Sequence, residues 1–215
     1  MLQVQKIFHT IQGEGPLSGV PAVFGRLTGC NLKCWFCDTD WDDANDPHMA
    51  VDQVILEIEK AREGSATGLC VITGGEPLRY SVVGLLATTL VQNGWAVQFE
   101  TAGTFYHDFL ASPGIMTVVS PKTARVDTRF DFLPDSHLCW KYVIRAGEVD
   151  PKDGLPIGNY QRHKASKLVG SRMEDDKRLG GQLYRPPAGT APESVFITPM
   201  DENPPTRNAA NKHAL

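Results

Sequence analysis

Apolar residues recur at helical spacing between Val51 and Arg62, where Val51, Val54, Ile55 and Ile58 fall on one face. A second stripe of Val82, Val83, Leu85, Leu86, Thr89 and Leu90 predicts a helix from Ser81 to Asn93, with Gly94 as its stop. Short apolar runs from Ala22 to Thr28, Leu69 to Ile72, Ala96 to Phe99, Ile115 to Val119, Leu138 to Val143 and Val195 to Thr198 read as strands. Strands this apolar are buried on both faces, which requires crossover connections and a parallel sheet rather than hairpins. The expected fold is α/β, a partial or modified parallel (β/α) barrel of about six strands.

That rhythm breaks between Arg145 and Glu193, where charges crowd around Gly180-Gly181 and Pro186-Pro187. Loops of this length are uncommon in compact domains, so residues 145–193 are expected to form an irregular insertion or lid within a single catalytic domain spanning 1–215. The ending Asn211-Lys212-His213-Ala214-Leu215 reads as the beginning of a helix, and the biological C-terminus is expected to lie beyond it.

Composition narrows the class. Hydrophobic residues make up 41% and charged residues 21% of the chain, which suits a globular protein and not a disordered one. A formal charge of -4 argues against a general polyanion-binding surface, so nucleic acid is a poor partner, whereas a local basic pocket would still hold a small acid. No apolar run is long enough for a signal or membrane span, and a cytoplasmic location is the default.

Three of five cysteines stand together in Cys30-Asn31-Leu32-Lys33-Cys34-Trp35-Phe36-Cys37, at a strand's end. Crowded thiolates suit a soft metal or an iron–sulfur cluster, and a structural zinc site completed by a distant His or Cys is the alternative from spacing alone. Cys70 and Cys139 lie in apolar strands and read as buried thiols. In Thr73-Gly74-Gly75-Glu76-Pro77, the turn leaving the next strand, two glycines permit close backbone approach to a ligand and Glu76 can accept from an ammonium; an ordinary strand-to-helix turn is the alternative. Arg26, on an apolar strand, requires an anionic partner, either within the protein or on a ligand carboxylate.

The C-x3-C-x2-C spacing resembles the signature of radical S-adenosylmethionine enzymes. Phe8-His9-Thr10-Ile11-Gln12-Gly13-Glu14-Gly15-Pro16, Gly19-Val20-Pro21-Ala22-Val23-Phe24, Arg26-Leu27, Cys37-Asp38-Thr39, the Gly74-Gly75-Glu76 turn, Glu100-Thr101-Ala102-Gly103-Thr104 and Ser120-Pro121-Lys122 follow in order. Together they resemble the 7-carboxy-7-deazaguanine synthase family over residues 1–145, with a weaker match from Phe196 to Asp201.

The resemblance implies a carbon-nitrogen lyase. It would convert 6-carboxy-5,6,7,8-tetrahydropterin to 7-carboxy-7-deazaguanine with loss of ammonia, in queuosine and 7-deazapurine biosynthesis. It further implies a 4Fe-4S cluster on Cys30, Cys34 and Cys37, S-adenosylmethionine on the fourth iron, and a 5'-deoxyadenosyl radical that abstracts hydrogen from substrate C6. Gly74, Gly75, Glu76, Ser120, Lys122 and Phe36 are then cofactor contacts, with Phe36 and Trp35 equally suited to packing the loop. Gln12 and Glu14 suit a pterin's donor and acceptor edge, Arg26 its carboxylate, and Thr101 joins them as a substrate residue. Thr39 matches the family's Mg2+-binding threonine. Asp38, Asp40, Asp42 and Asp43 read as a solvated acidic loop. A reducing partner such as flavodoxin or ferredoxin and a homodimer are implied as well.

The chain departs from that pattern at its end. The family's C-terminal Gln-Thr-His-Lys-like segment has no match, and the context of His213 does not earn it that role. A glycyl-radical activating enzyme, which shares the cysteine spacing, and a noncatalytic zinc-binding interaction module are the alternatives. Iron analysis would separate them.

Overall fold

The computed structural model describes residues 1–34, 36, 37, 39, 45–62, 64–158 and 183–200. Among these, eight strands form one sheet: β1 (Leu2–Ile11), β2 (Pro21–Leu27), β3 (His48–Met49), β4 (Leu69–Gly74), β5 (Ala96–Thr101), β6 (Ile115–Val119), β7 (Leu138–Ile144) and β8 (Val195–Pro199), in the order β3-β1-β2-β4-β5-β6-β7-β8. From β2 to β8 every pairing is parallel, which gives the expected six-stranded partial barrel. β1 and the two-residue β3 extend it with antiparallel pairings.

Burial explains the parallel arrangement. In β7 every residue but Val143 is buried, so neither face is left for water and the connection must cross over. Helix α1 (Val51–Arg62) buries Val54 and Ile58, one turn apart, and the Gln53 side chain accepts from the Ala50 amide at 2.8 Å as in a capping box. Helix α2 (Val83–Gln92) buries Val83, Leu86, Ala87 and Leu90, and Gly94 takes a φ of 86° just beyond its end. These faces join Val23, Ile72, Phe99 and Trp140 in the main core. Truncating Ile58 or Leu86 to Ala there costs about 2–5 kcal/mol.

Two features differ from the sequence expectation. Among the described residues no helix follows α2: β5 to β6 and β6 to β7 are joined through 3-10 turns at Asp108–Ala111 and Thr128–Phe132, where parallel strands lead us to expect helices. Each turn buries one large side chain, Leu110 or Phe130, which covers the sheet without a full helix. The second feature is β1, whose register with β2 runs from Val4↔Leu27 to Ile11↔Pro21. The stretch after Ile11 turns back through a 3-10 turn at Gly15–Leu17 that packs on β7 and β8, bringing the first loop across to the last strands.

Of the 145–193 segment, residues 145–158 and 183–193 carry turns, an isolated bridge between Val149 and Pro156, and the start of a 3-10 turn at Pro192–Ser194. The remainder, the aspartates 38, 40, 42 and 43, Trp35 and His213 lie outside the described residues. No helix among the described residues is long and apolar enough to cross a membrane.

Candidate active site

The parallel strands all point their carboxyl ends toward one opening, the position where α/β sheets and barrels gather ligand-binding loops. A cavity of about 500 Å³ lies there, lined by Cys30, Cys34, Cys37, Phe36, Thr39, Gly74, Gly75, Thr101, Ser120, Lys122, Gln12, Glu14 and Arg26. Residues spread over more than a hundred positions of sequence therefore meet at one site. Glu76 is the exception and lies beneath the wall.

The cysteine loop and the glycine turn are built as one piece. The Gly75 amide donates to the Leu27 carbonyl at 3.0 Å and the Glu76 amide to the Gly29 carbonyl at 2.9 Å. A Cβ on Gly74 would stand 2.0 Å from the Leu27 oxygen, and one on Gly75 2.1 Å from the Gly29 oxygen. Gly74 also holds a φ of 130°, which an L side chain rarely adopts. Both glycines are thus required by backbone meeting backbone.

Glu76 is fully buried, with its carboxylate directed at the neighbouring loop. It accepts from the Thr101 hydroxyl at 2.8 Å, the Ala102 amide at 2.9 Å and the Leu78 amide at 3.0 Å. Burial raises its pKa above the usual carboxylate range, against the lowering effect of these bonds. Thr101 is spent in the same way, since its hydroxyl also accepts from the Gly103 amide at 3.0 Å.

On the cavity wall, the Cys30 thiol is pushed up to about 11 by burial, against a hydrogen bond from Leu32, with further rises from Glu76 and from negative charge at Cys34 and Cys37. Lys122 donates to the Ser120 carbonyl at 2.9 Å and to the Ser120 hydroxyl at 2.5 Å. Burial depresses the Lys122 ammonium to about 8, while charge at Cys34 works in the opposite direction. Cys70 and Cys139 are buried away from this wall, and burial raises both thiols, Cys139 to about 12.

A polar chain also lines the cavity. Gln12, 2% exposed, donates to Glu100 at 3.1 Å and accepts from the Glu14 amide at 3.1 Å, while Thr73 donates to the other Glu100 oxygen at 3.0 Å. Glu14 accepts from Lys141 of β7 at 2.5 Å and from Thr198 of β8 at 2.9 Å. Burial pushes Glu14 up, but the Lys141 ammonium and the bonds from Lys141 and Thr198 bring it below the usual carboxylate range. Lys141 in turn is pushed down by burial and held above the ordinary lysine value by Glu100 and Glu14. Arg26 is half-buried with its guanidinium 5.6 Å from the Phe8 ring centre, and it has no ion pair among the described residues.

Thr73, Glu100 and Thr198 lie in segments that resemble the family but carry no assigned role there, and Lys141 lies outside its motifs. Lys141 had a legible signal: it is the lone cation in the apolar run Leu138-Cys139-Trp140-Lys141-Tyr142-Val143-Ile144, the same reasoning that marks Arg26.

Among the described residues no three His, Cys, Asp or Glu side chains form a closed group for a metal ion. Three thiols lining one cavity are nevertheless a soft donor set suited to iron–sulfur ligation, and positive iron would stabilise the Cys30 thiolate against the burial, and the neighbouring negative charge, that raise it. Thr39 offers an oxygen at the same opening, compatible with Mg2+, which takes few protein ligands and keeps water.

Comparison with known proteins agrees with this geometry. The Radical SAM superfamily model matches residues 26–119, from Arg26 through the end of β6. The 7-carboxy-7-deazaguanine synthase of Rhodospirillum rubrum is 41% identical over 203 residues, covering 94% of this chain and 76% of that protein. The synthase of Escherichia coli K12 is 33% identical over 192 residues, covering 81% of this chain and 80% of that protein. The crystal structure of QueE from Escherichia coli superposes with a TM-score of 0.54 at 28% identity, covering 67% of this chain and 72% of that one.

Proposed function

The chain belongs to the 7-carboxy-7-deazaguanine synthase family of radical S-adenosylmethionine enzymes, and from that premise we propose how its own residues divide the work of the reaction. The substrate is 6-carboxy-5,6,7,8-tetrahydropterin, and the product 7-carboxy-7-deazaguanine, with ammonia released. The reading is carried by one observation: three thiols and the Arg26, Glu14 and Lys141 charges line the same cavity. Neither a zinc module nor an activating enzyme for a protein substrate has need of those charged side chains beside the thiols.

Cys30, Cys34 and Cys37 would hold a 4Fe-4S cluster, and the Gly74-Gly75 turn would admit S-adenosylmethionine against bare backbone. Cluster and S-adenosylmethionine together supply, when bound and reduced, a 5'-deoxyadenosyl radical for hydrogen abstraction. Phe36 packs on the core beside the cysteines and keeps water from that corner. Lys122, fixed by Ser120, offers a cation for a cofactor carboxylate. Glu76 supports these contacts from behind by fixing the turn to the Thr101 loop.

On the substrate side, Arg26 presents forked donors to the pterin carboxylate. Gln12 orients the Glu14 backbone, and Glu14 accepts from the pterin's N–H groups. Thr39 would supply one protein oxygen to Mg2+, with substrate and water completing its shell. Such fixed positioning matters because a radical placed slightly wrong reacts elsewhere. Electrons would come from a small reducing protein such as flavodoxin or ferredoxin, and a homodimer is the expected assembly.

The experiment supplies anaerobically reconstituted, reduced protein with S-adenosylmethionine, Mg2+ and 6-carboxy-5,6,7,8-tetrahydropterin and identifies products by mass. 7-Carboxy-7-deazaguanine is expected, with deuterium from substrate C6 appearing in recovered S-adenosylmethionine. Cys30→Ala, Cys34→Ala and Cys37→Ala should each lose iron and product, whereas Cys70→Ala should keep both. Bound iron and cofactor cleavage without any pterin product would overturn the substrate assignment.

A further inference from the structure

Resting on the pterin reading of the cavity, we infer that Lys141 donates to the 4-oxo group of the substrate, so that the Glu14–Lys141 ion pair reads the pyrimidinone edge and Gln12 only holds that pair in place.

Lys141 is 9% exposed, yet it reaches the cavity from the middle of an apolar strand. Its ammonium has three N–H groups and makes one hydrogen bond among the described residues, to Glu14. A buried ammonium with two donors left over is costly unless a ligand or water takes them. Gln12 is in the opposite situation, for its amide already bonds inside the protein at both ends.

The chemistry of the edge matches the pair. Along a pterin's pyrimidinone ring the order is carbonyl acceptor, ring N–H donor, amino donor. Lys141 and Glu14 offer, side by side, an N–H donor and then carboxylate acceptors, with Nζ and Oε2 2.5 Å apart. Thr198 holds the second carboxylate oxygen at 2.9 Å, so the acceptor direction is fixed as well. Each Glu14 oxygen keeps lone-pair capacity, and its side chain is 43% exposed against 11% for Lys141. Lys122 is less suited to that part, because two of its three N–H groups already go to the Ser120 carbonyl and hydroxyl, whereas Lys141 commits one.

The test uses two oxygen-stable ligands that differ at one position. Anaerobically reconstituted protein is titrated with 6-carboxypterin and with its 4-thioxo analogue, which keeps the ring N–H and amino donors and puts a weak sulfur acceptor in place of the 4-oxo oxygen. Wild type should prefer the oxo compound by roughly tenfold or more, because the buried ammonium bonds sulfur more weakly than oxygen. Lys141→Met should bring that preference close to equality. Should Lys141→Met fail to fold, the double variant Glu14→Gln with Lys141→Met removes both halves of the ion pair and takes its place with the same expected collapse. Equal affinity of wild type for both compounds, or a preference that survives removal of Lys141, overturns the inference. Wild type that binds neither compound while holding iron and cleaving the cofactor overturns the pterin reading itself.

Discussion

The carboxylate of Glu76 and the hydroxyl of Thr101 meet at 2.8 Å beneath the cavity floor, joining the loop after β4 to the end of β5. The same carboxylate holds the Ala102 and Leu78 amides, so one buried side chain fixes three donors on two loops. Glu76→Ala would leave all three without that partner, at about 1–3 kcal/mol per stranded group. Glu76→Gln retains one acceptor oxygen and should lose less. Urea denaturation of the apoprotein is expected to show both losses in that order. An unchanged midpoint in Glu76→Ala would mean that the carboxylate matters only to a bound ligand.

The sequence made the local elements legible and left the long-range ones hidden. α1 runs over the predicted Val51–Arg62 because strong periodicity, a Gln53 cap and the Lys60 and Arg62 end charges all agree. β6 likewise matches Ile115–Val119. β1 escaped notice because its alternation holds only at Leu2 and Val4 and then fades into half-buried positions before Gly13 and Gly15. The inward use of Gln12 depends on Glu100, 88 positions away, and that of Glu14 on Lys141, 127 positions away. No local pattern encodes such pairings. The cysteine spacing and the double glycine were legible for the opposite reason: each is dictated by contacts within a few residues or by backbone approach that only glycine permits.

Gly75→Ala provides a sharp test of the shared cysteine and glycine framework. Its new Cβ would stand 2.1 Å from the Gly29 oxygen and 2.9 Å from the Cys30 amide nitrogen, and backbone atoms cannot swing aside as a side-chain tip can. The turn must move away from the first cysteine. Reconstituted Gly75→Ala is expected to bind less iron per chain than wild type and to lose stability by a few kcal/mol, about the cost of overpacking. Gly64→Ala, a glycine with open space around it and a φ of 77°, should lose about 1 kcal/mol from backbone strain and keep its iron. Equal iron in both variants would refute the framework.

The Glu14–Lys141 pair should shape the acid limb of the stability curve. Burial pushes the Glu14 carboxyl up, but Lys141 and Thr198 bring it below its ordinary value, so the folded carboxylate gives up its proton more readily than the unfolded one. That contribution is present above about 4.3, the unfolded value, and is lost as pH falls through the lower folded value. In Lys141→Met the burial remains without its compensation, and Glu14 rises instead. The difference in unfolding free energy between wild type and Lys141→Met is therefore expected to be widest near neutral pH and to narrow on acidification. A difference that stays constant from pH 7 to about 3 would show that the pair does not control the Glu14 proton.

Arg26 separates a substrate role from a structural one. It lies on β2 among buried neighbours, Gly25 and Leu27, with its guanidinium over Phe8 and no ion pair among the described residues. Had it served an internal salt bridge, removing its charge would strand a carboxylate and cost about 3–5 kcal/mol. Without such a bridge, Arg26→Gln forfeits only the ring contact, about 0.5–1 kcal/mol, and the denaturation midpoint should barely move. Substrate binding should suffer far more, because a forked, charged donor pair facing a carboxylate is replaced by a single neutral amide. KM for the carboxylated pterin is expected to rise by roughly ten- to a hundredfold, the equivalent of one charged hydrogen bond. Arg26→Lys keeps the charge without the fork and should fall between. S-adenosylmethionine cleavage in the absence of substrate should remain near wild type, since Arg26 serves the substrate carboxylate and not the cluster or the cofactor. A large stability loss with unchanged KM would return Arg26 to a structural role and leave the substrate carboxylate to Lys122 or Lys141.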